Sequence, residues 1–435
     1  MKPSPWADFK AALPECRSTQ IPGGPRVVTV SLPDRRSIAA AVWIRTGSRF
    51  ENEAQSGIAH FLEHMVFKGT KTRSAQRIKE AVEGKGGQLN AFTGEESTCF
   101  FVRVLKPYFG EALEVLADMI QNAELDPREV RKEKAVILEE IKMYRDVASQ
   151  HVQDMMGELL WPDHPLGRPI SGTESSVGPL TSGVLKSFRD LHYRGSNAVV
   201  SIAGPVDHEP IVKLVSRLFP SDPQAAGPVF SQAHPKSQGS ACRFIAKKTH
   251  QTHFVVGLEA FSRYDRRRFG LALLSLILGG NMSSRLFEKI REQKGLAYDI
   301  RSTPSFYQDT GALLISAGVE SSRSRDVIRL ILKELSLLTR DCVSSGELRR
   351  AKDHFLGQFF ISLEDPLEYL LWAGENVLYR PELPQPESLA EGISKVTAAD
   401  LKKIAAELFV NGRYHLAMIG PERTSERAEI EKILK

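Results

Sequence analysis

The sequence contains few cysteines and no long apolar run. Its four cysteines are scattered without a Cys-x-x-Cys pair, so neither a disulfide framework nor a cysteine metal site is implied. The longest apolar run, LALLSLIL at 271–278, is far shorter than the roughly 20 residues that a membrane-spanning helix needs. We therefore interpret this run as a buried element and predict no membrane association.

The sequence also lacks a strong charge bias and a leader-like start. The net charge is +5, and no block of Lys and Arg indicates a nucleic-acid surface or a basic membrane-binding helix. Pro3, Pro5 and Asp8 occupy the region where a secretory signal would place its apolar stretch. Acidic Asp8 and Glu15 are equally atypical of a mitochondrial transit peptide. The expected location is cytoplasmic.

The chain length and composition are those of a globular protein with two or more domains. At 435 residues the chain exceeds the size at which one hydrophobic core stops growing. The segment 221–240, SDPQAAGPVFSQAHPKSQGS, has little periodicity and the Pro and Gly content of a linker. We predict an N-terminal lobe at 1–220, a linker at 221–240 and a C-terminal lobe at 241–435.

The two predicted lobes share a repeated pattern at a constant offset of 216 residues. A helical segment beginning LTSGVLKSF in the first lobe is matched by VTAADLKKI in the second, and the strand that follows ends in Gly-Pro in both. This spacing is far above the 20–50 residues of solenoid repeats, so it indicates an internal duplication. The matched pairs are Thr181 and Thr397, Leu185 and Leu401, Lys186 and Lys402, and Gly204 and Gly420.

Each lobe reads as paired strands followed by helices. RVVTVSLPDRRSIAAAVWIRTG, from Arg26, predicts two strands around a Pro-Asp turn, and helical patterns follow up to one predicted from 126 to about 153. In the second lobe SSRLFEKIREQ predicts a further helix, and the segments after it predict strands. Because regular βαβ alternation is missing, the predicted class is α+β with an antiparallel sheet in each lobe.

The strongest local signal for chemistry is the HxxEH string His60-Phe61-Leu62-Glu63-His64. In a helix His60 and His64 lie one turn apart on one face, so both imidazoles can reach one metal ion. Glu63 lies on the same side, out of register with the two histidines, where it can hold a water molecule. The string reverses HExxH and is typical of a zinc peptidase site. The alternative is a helix that carries two structural histidines.

A catalytic zinc needs a third protein ligand from elsewhere in the chain. The helical segment KEKAVILEEIKMYRD carries Glu133 and Glu140, which are seven residues apart and share one face, whereas Glu139 points elsewhere. Spacing supports Glu140 as the ligand with Glu133 in support, or the reverse. Glutamate-rich helices are also common on ordinary solvated surfaces.

Further segments of the sequence match, in order, the motifs of a known family. The chain resembles the pitrilysin-type zinc endopeptidases, in particular the short branch that contains the mitochondrial processing peptidase β subunit and its bacterial single-chain relatives. The resemblance extends from about Val27 to the end of the chain. The matching segments are HFLEHMVFKGT, GGQLNAFTGEEST, AVILEEI, SNAVVSIAGPVD, LGGNMSSRLFEKIREQKGLAY and DTGALLISAGV.

The resemblance implies a role for each site residue. The metal ligands for one Zn²⁺ per chain fall on His60, His64 and Glu140, the catalytic base on Glu63 and a supporting acid on Glu133. Asn90 and Ala91 fall where an edge strand of the family binds the substrate backbone, and Arg291 and Tyr298 match an active-site pair supplied by the second half. Two homologous lobes enclosing a chamber are also implied.

The second half carries no HxxEH string. The 216-residue offset places its equivalent positions at Leu276, Gly279 and Gly280, none of which can bind a metal through its side chain. We therefore expect one metal site per chain.

The predicted activity is zinc-dependent hydrolysis of peptide bonds in unfolded peptides or in leader and precursor segments. The main alternative is a catalytically silent partner or scaffold subunit, because the same family includes such chains. They usually lack a ligand or the base, whereas all four residues are present here. By resemblance we expect peptide substrates and a homodimer, or a heterodimer with an inactive homologue.

Overall fold

The chain forms two compact units, each assembled from separate stretches of sequence. A computed structural model describes residues 14–220, 228–233, 239–380, 382–383, 385–421 and 424–434. The first unit takes its described residues from Met1–Ile141, Pro169–Ser231 and Phe359–Pro386. The second takes them from Lys142–Arg168, Gln232–Gln358 and Glu387–Lys435.

These units differ from the predicted lobes by two segments. Lys142–Arg168 belongs to the second unit although it precedes the predicted linker, and Phe359–Pro386 belongs to the first unit although it follows the linker. Residues 221–227 and 234–238 of the predicted linker lie outside the described residues. The helix predicted from 126 to about 153 enters the first of these segments, but a sequence pattern carries no information on which sheet a helix covers.

The described residues contain strands and helices in mixed order along the chain. The strands are β1 (Cys16–Gln20), β2 (Arg26–Ser31), β3 (Ser37–Ile44), β4 (Gln88–Thr93), β5 (Thr98–Leu105), β6 (Ala198–Gly204), β7 (Cys242–Ala246), β8 (Gln251–Ala260), β9 (Ala297–Phe306), β10 (Gly311–Glu320) and β11 (His415–Gly420). The helices of the N-terminal part are α1 (Ile58–Val66), α2 (Ala75–Val82), α3 (Phe109–Asn122), α4 (Pro127–Asp146), α5 (Ala148–Leu160), α6 (Glu174–Val177), α7 (Ser182–His192) and α8 (His208–Leu218). Those that follow are α9 (Arg268–Ser275), α10 (Ser324–Arg340), α11 (Ser345–Ser362), α12 (Pro366–Tyr379), α13 (Pro386–Lys395), α14 (Ala398–Leu408) and α15 (Thr424–Leu434).

The first unit contains a six-stranded sheet in the order β1-β2-β6-β3-β5-β4. The α+β class is confirmed, but the sheet is mixed and not purely antiparallel as predicted, because β2 and β6 run parallel. β6 lies between β2 and β3, so the two strands flanking the predicted Pro-Asp turn are not paired with each other. β6 begins about 150 residues after β3, so a local turn signal cannot predict that β6 lies between β2 and β3.

The second unit repeats this arrangement in a five-stranded sheet of order β7-β11-β8-β10-β9. Its single parallel pair, β7 with β11, corresponds to β2 with β6. Thr181 and Thr397, the pair 216 residues apart, both cap helix N-termini, where their hydroxyls accept hydrogen bonds from the backbone of Val184 and Asp400. The matched strand order and caps support the internal duplication.

Two predicted helices have different limits in the structure. The helix predicted from 126 to about 153 is interrupted at Val147, whose extended backbone separates α4 from α5. The segment predicted as helix after Ser283 contains a π-helical turn at Phe287–Glu292. Apolar periodicity persists through both irregularities, so it does not reveal them.

The core of the first unit lies between the sheet and helices α1, α3 and α7. Buried apolar side chains of α1, among them Phe61, Leu62 and Met65, belong to this core. The sheet contributes buried residues such as Val42, and Phe100 from β5. This packing fixes α1 against the sheet and leaves its opposite face for polar residues. In the described part of the chain, no helix is long and apolar enough to cross a membrane.

Candidate metal centre

Helix α1 is held at its N-terminus by a buried carboxylate. Gly57 precedes the helix with a φ of +92°, a conformation that favours glycine. The two side-chain oxygens of Glu51 accept hydrogen bonds from the backbone N–H groups of Gly57 and Ala59, each at 2.8 Å. A negative charge at this position also complements the positive end of the helix dipole. Glu51 therefore fixes the start of the helix that carries the HxxEH string.

The two histidines of α1 face Glu140 of α4. His60 Nε2 lies 3.9 Å from one oxygen of Glu140, and His64 Nε2 lies 3.6 Å from the other. Potential ligand atoms of these three residues all lie within 4.8 Å of one another, and this is the group of metal-binding side chains found among the described residues. Two imidazoles and one carboxylate match the donor set of catalytic zinc sites with an open fourth position.

Glu133 contacts the back of this site. One of its oxygens accepts a hydrogen bond from His64 Nδ1 at 2.9 Å, and the other lies 2.6 Å from Lys68 Nζ. This bond leaves the lone pair of His64 on Nε2, the nitrogen that faces Glu140. The geometry therefore favours Glu140 as the ligand and Glu133 as its support, the first of the two arrangements that helical spacing leaves open.

Glu63 lies beside the three candidate ligands and is held by β4. Its carboxylate accepts a short hydrogen bond from the hydroxyl of Thr93, the last residue of that strand. Burial raises the pKa of Glu63, and the negative charge of Glu140 acts in the same direction, whereas Thr93 and His64 oppose the shift. A carboxylate whose pKa is raised towards neutrality is suited to exchange a proton during a reaction.

Without a bound metal the two histidines have opposite pKa shifts. Burial lowers the pKa of His60 to about 4, and repulsion from His64 adds to the effect. Burial also acts to lower the pKa of His64, but the hydrogen bond that His64 donates to Glu133 and the charges of the nearby carboxylates outweigh it and raise the pKa. A pKa of about 4 keeps the His60 imidazole neutral near neutral pH, which is the form that a metal ion requires.

Asn90 and Ala91 lie on β4, which pairs only with β5 within the described part of the chain. The Asn90 side chain is exposed, and its Oδ1 accepts a hydrogen bond from the backbone N–H of Ala91 at 2.8 Å. The same strand ends at Thr93, which contacts Glu63. Asn90 and Ala91 are therefore within three residues of Thr93, which contacts the carboxylate predicted to act as the base.

Arg291 and Tyr298 lie together in the second unit. The guanidinium carbon of Arg291 is 4.5 Å from the ring centre of Phe287 and 5.3 Å from that of Tyr298. Tyr298 is the second residue of β9 and is three-quarters exposed, which is high for a tyrosine. Cation–π contacts of this kind restrain an otherwise mobile aromatic side chain.

The second unit has no counterpart of the HxxEH ligands at the positions given by the duplication. Leu276, Gly279 and Gly280 lie in a π-helical segment that follows α9. A Cβ atom on Gly279 would lie only 2.8 Å from the backbone nitrogen of Ser302 on β9. The segment therefore approaches its neighbouring strand too closely for a glutamate equivalent to Glu63 at that position.

Three residues near the site were not identified from the sequence. Thr93, Lys68 and Glu51 make the contacts described above, but none belongs to a spacing pattern that indicates metal chemistry. Lys68 and Thr93 lie within the family-like segments HFLEHMVFKGT and LNAFT, which is the one signal that could have drawn attention to them. Their roles depend on contacts between elements distant in sequence.

Comparison with family models gives two adjacent matches. Residues 26–174 match the model described as insulinase, peptidase family M16, and residues 179–355 match the model described as the peptidase M16 inactive domain. Together these matches cover most of the chain. The inactive-domain match includes the positions Leu276, Gly279 and Gly280, where the duplicated site is blank.

Similar proteins include zinc proteases of several bacteria. An uncharacterized zinc protease of Streptomyces coelicolor is 35% identical over 95% of this chain and 91% of its own. One from Bacillus subtilis is 37% identical over 92% of this chain and 96% of its own. These relatives match along nearly their whole length, so the similarity is not limited to the HxxEH segment.

Solved structures show the same fold. A protease from Helicobacter pylori superposes with a TM-score of 0.88 at 24% identity, covering 94% of this chain and all of that one. A peptidase M16 inactive domain from Pseudomonas fluorescens gives 0.86 at 20% identity, covering 94% and 99%. The family models and the bacterial relatives confirm the resemblance drawn from the motifs: the chain belongs to peptidase family M16, the insulinase or pitrilysin-type family of zinc proteases.

Proposed function

We propose that this chain is a zinc-dependent endopeptidase that hydrolyses peptide bonds in unfolded peptides or in leader and precursor segments. The observation that carries the proposal is the complete group of His60, His64 and Glu140, with Glu63 held beside it by Thr93. A silent family member is expected to lack a ligand or the base. The names of the bacterial relatives support the zinc protease class.

The donor set fits zinc. His60, His64 and Glu140 would hold the ion, and Glu133 fixes the His64 ring in the tautomer that leaves Nε2 free to bind. Zinc in such a site supplies Lewis acidity, which polarises a carbonyl group and makes water acidic enough to lose a proton near neutral pH. Since the second unit offers no equivalent ligands at the duplicated positions, we expect one ion per chain.

Glu63 is proposed to move the proton. Its carboxylate takes a proton from the attacking water as the new C–O bond forms, and then delivers this proton to the amide nitrogen, so that the C–N bond breaks and the amine leaves as the carbonyl reforms. Thr93 orients one carboxylate oxygen and leaves the other for this exchange. The proton transfer thus needs a residue from α1 and a restraint from β4.

The edge strand β4 is proposed to bind the substrate backbone. An extended peptide that pairs with β4 would offer a carbonyl to the N–H of Ala91, replacing the local bond to the Asn90 side chain. Main-chain pairing tolerates many side chains and requires an extended substrate. This requirement favours unfolded peptides over folded proteins.

Arg291 and Tyr298 are proposed to stabilise the negative charge that develops on the carbonyl oxygen. Both side chains can donate hydrogen bonds to an oxyanion, and their mutual stacking in the second unit limits the conformational freedom that would otherwise be lost on binding. By resemblance we also propose that the chain works as a homodimer or as a heterodimer with an inactive homologue.

The test is cleavage of a mixture of unstructured peptides of about 15–30 residues, a length suited to binding along an edge strand. Wild type, wild type with chelator, and Glu63→Gln are compared, with Glu139→Gln as a matched control on the neighbouring exposed position of α4. We expect cleavage that is lost with chelator, restored by zinc, reduced by about 10²–10⁴ in Glu63→Gln and retained in Glu139→Gln.

A different pattern would contradict the proposal. Unchanged cleavage in Glu63→Gln would exclude this residue as the base. No cleavage by a folded, zinc-loaded chain would favour the silent-partner alternative or an enzyme that needs a second subunit. Size-exclusion chromatography of the same sample then shows whether the homodimer forms.

A further inference from the structure

We propose that Lys68 is a positioning residue for the zinc site, acting on His64 through Glu133. The inference rests on the proposed function, because it concerns the metal site formed by His60, His64 and Glu140. It adds a residue outside the HxxEH string and outside the glutamate pair on α4. Lys68 follows α1 directly in sequence and reaches Glu133 on a different helix.

The contacts form a short chain from Lys68 to the ligand. Glu133 is buried, and its two oxygens are divided between one cation and one imidazole: Lys68 Nζ at 2.6 Å and His64 Nδ1 at 2.9 Å. A carboxylate held at both oxygens cannot rotate without breaking one of the two bonds. Lys68 therefore fixes the plane of the Glu133 carboxylate, and through it the orientation of the His64 ring.

The segment that carries Lys68 is itself anchored to α3. Asp118, a largely buried residue of α3, accepts hydrogen bonds from Thr70 Oγ1 at 2.6 Å, Thr72 Oγ1 at 3.0 Å and Arg73 NH1 at 2.7 Å. Thr70 also donates its backbone N–H to the carbonyl of Arg73 at 2.8 Å. The turn after Lys68 is thus closed on itself and attached to the core, which restricts where the lysine ammonium can lie.

Burial makes the cation important for Glu133. A buried carboxylate that loses its counter-charge retains a large desolvation cost and relaxes towards solvent or a new partner. Lys68 supplies this counter-charge at 2.6 Å, so Glu133 remains in place to accept the His64 hydrogen bond.

Two physical effects of removing Lys68 have opposite signs. The positive charge of Lys68 repels Zn²⁺, so its removal would tighten zinc binding. Loss of the Glu133 restraint misorients His64, which weakens zinc binding by the 10–100-fold that is typical when a group holding a metal ligand is removed. The positioning role predicts that the second effect exceeds the first.

The experiment is a competition titration of zinc between the purified full chain and a chromophoric chelator, which needs no catalysis. The variants are Lys68→Met and Lys68→Arg, with Lys132→Met as the control that removes a lysine from an exposed ion pair with Glu129. We expect the zinc Kd to rise about tenfold in Lys68→Met. It should change less than about twofold in Lys68→Arg, which keeps the charge, and in Lys132→Met.

A second arm separates positioning from a purely structural role. In the Glu133→Gln background, Lys68→Met should cause no further rise in Kd, because the lysine acts only through that carboxylate. Equal effects of Lys68→Met in both backgrounds, or an unchanged or tighter Kd in the single variant, would overturn the inference.

Folding is monitored by circular dichroism. Lys68→Gln serves as a second neutral variant if Lys68→Met does not fold. Loss of folding in both neutral variants would show that Lys68 is required for folding, and this result would also overturn the inference. If wild type binds no zinc, both the proposed function and this inference are wrong. If wild type binds zinc and cleaves peptides but Lys68→Met binds zinc equally well, only the inference fails.

Discussion

The face of α1 on which a residue of the HxxEH string lies determines whether it packs in the core or faces the candidate metal site. Phe61 and Leu62 are buried in the core of the first unit, and His60, Glu63 and His64 face α4 and β4. Because a helix places side chains by its 3.6-residue period, the alternation of apolar and polar residues suffices to predict this division. The sequence could therefore identify these three side chains without tertiary information.

The hydrogen bond from Thr93 to Glu63 supports a prediction at this scale. Thr93→Val keeps the volume of the side chain and removes the hydroxyl that restrains the carboxylate. We expect kcat for peptide cleavage to fall about tenfold, the effect of losing one hydrogen bond to a charged group. The zinc Kd should be unchanged, because Thr93 is not among the candidate ligands.

The matched control for this change is Thr93→Ser, which retains a hydroxyl at the same position. It should keep most of the wild-type kcat. A Thr93→Val enzyme as fast as wild type would show that Glu63 needs no restraint from β4. A loss of zinc binding would show instead that the variant disturbs the helix.

At the scale of elements, the start of α1 depends on Glu51. Its buried carboxylate accepts two backbone N–H groups, and the amide of Glu51→Gln can satisfy only one of them while it turns a donor towards the other. We expect the free energy of unfolding of the first unit to fall by about 2 kcal/mol, the cost of a buried unsatisfied donor. Chemical denaturation followed by circular dichroism measures this change.

Glu53→Gln provides the control in the same turn. Glu53 is exposed and is not bonded to α1, so this substitution should change stability by less than about 0.5 kcal/mol. Equal stability of both variants would show that Glu51 does not hold the helix. A larger loss in Glu51→Gln would show that a residue well before the HxxEH string stabilises the site.

The break between α4 and α5 is an element-scale feature that periodicity did not reveal. Val147 has an extended backbone, yet the apolar pattern continues on both sides of it. Glu133 and Glu140 lie on α4 before the break, and α5 after it belongs wholly to the second unit, although the boundary between the units falls within α4, after Ile141. A single β-branched residue is compatible with either a helix or a break, so only tertiary contacts determine the outcome.

At the scale of the whole molecule, buried histidines in both units make stability depend on pH. Burial lowers the pKa of His192 from 6.5 to about 4, and it also lowers the pKa of His208, His253 and His415. A histidine whose pKa is lower in the folded state binds protons more readily when unfolded. Stability from these groups is therefore present above about pH 6.5 and is lost as the pH falls towards 4.

His192 isolates this effect because its ring is stacked on Phe188 and hydrogen-bonded to Thr46, and its pKa is lowered by burial. Between pH 7 and pH 5, wild type should lose about 2 kcal/mol more stability than His192→Gln, which cannot titrate. Denaturation midpoints of both proteins at the two pH values test this. Parallel losses would show that His192 does not contribute to acid sensitivity.

The duplicated architecture is the whole-molecule feature that sequence predicted most directly. The 216-residue offset pairs Thr181 with Thr397, and the structure shows both as helix caps before equivalent strands β6 and β11. Local side-chain requirements such as a cap hydroxyl remain visible in sequence after duplication. The parallel pairing of β2 with β6 was not visible, because strand partners distant in sequence leave no local pattern.

The sequence by itself determined the α+β class, the duplication and the residue types that can bind a metal, because these follow from local periodicity and side-chain chemistry. Helical spacing left Glu133 and Glu140 as alternatives because they share one face of α4, and only the family resemblance separated them in sequence. The tertiary structure places Glu140 beside His60 and His64, and Glu133 behind His64. It alone brought Lys68 and Thr93 to the site as well. Their contacts join separate elements, and the packing of those elements on the sheet sets each distance.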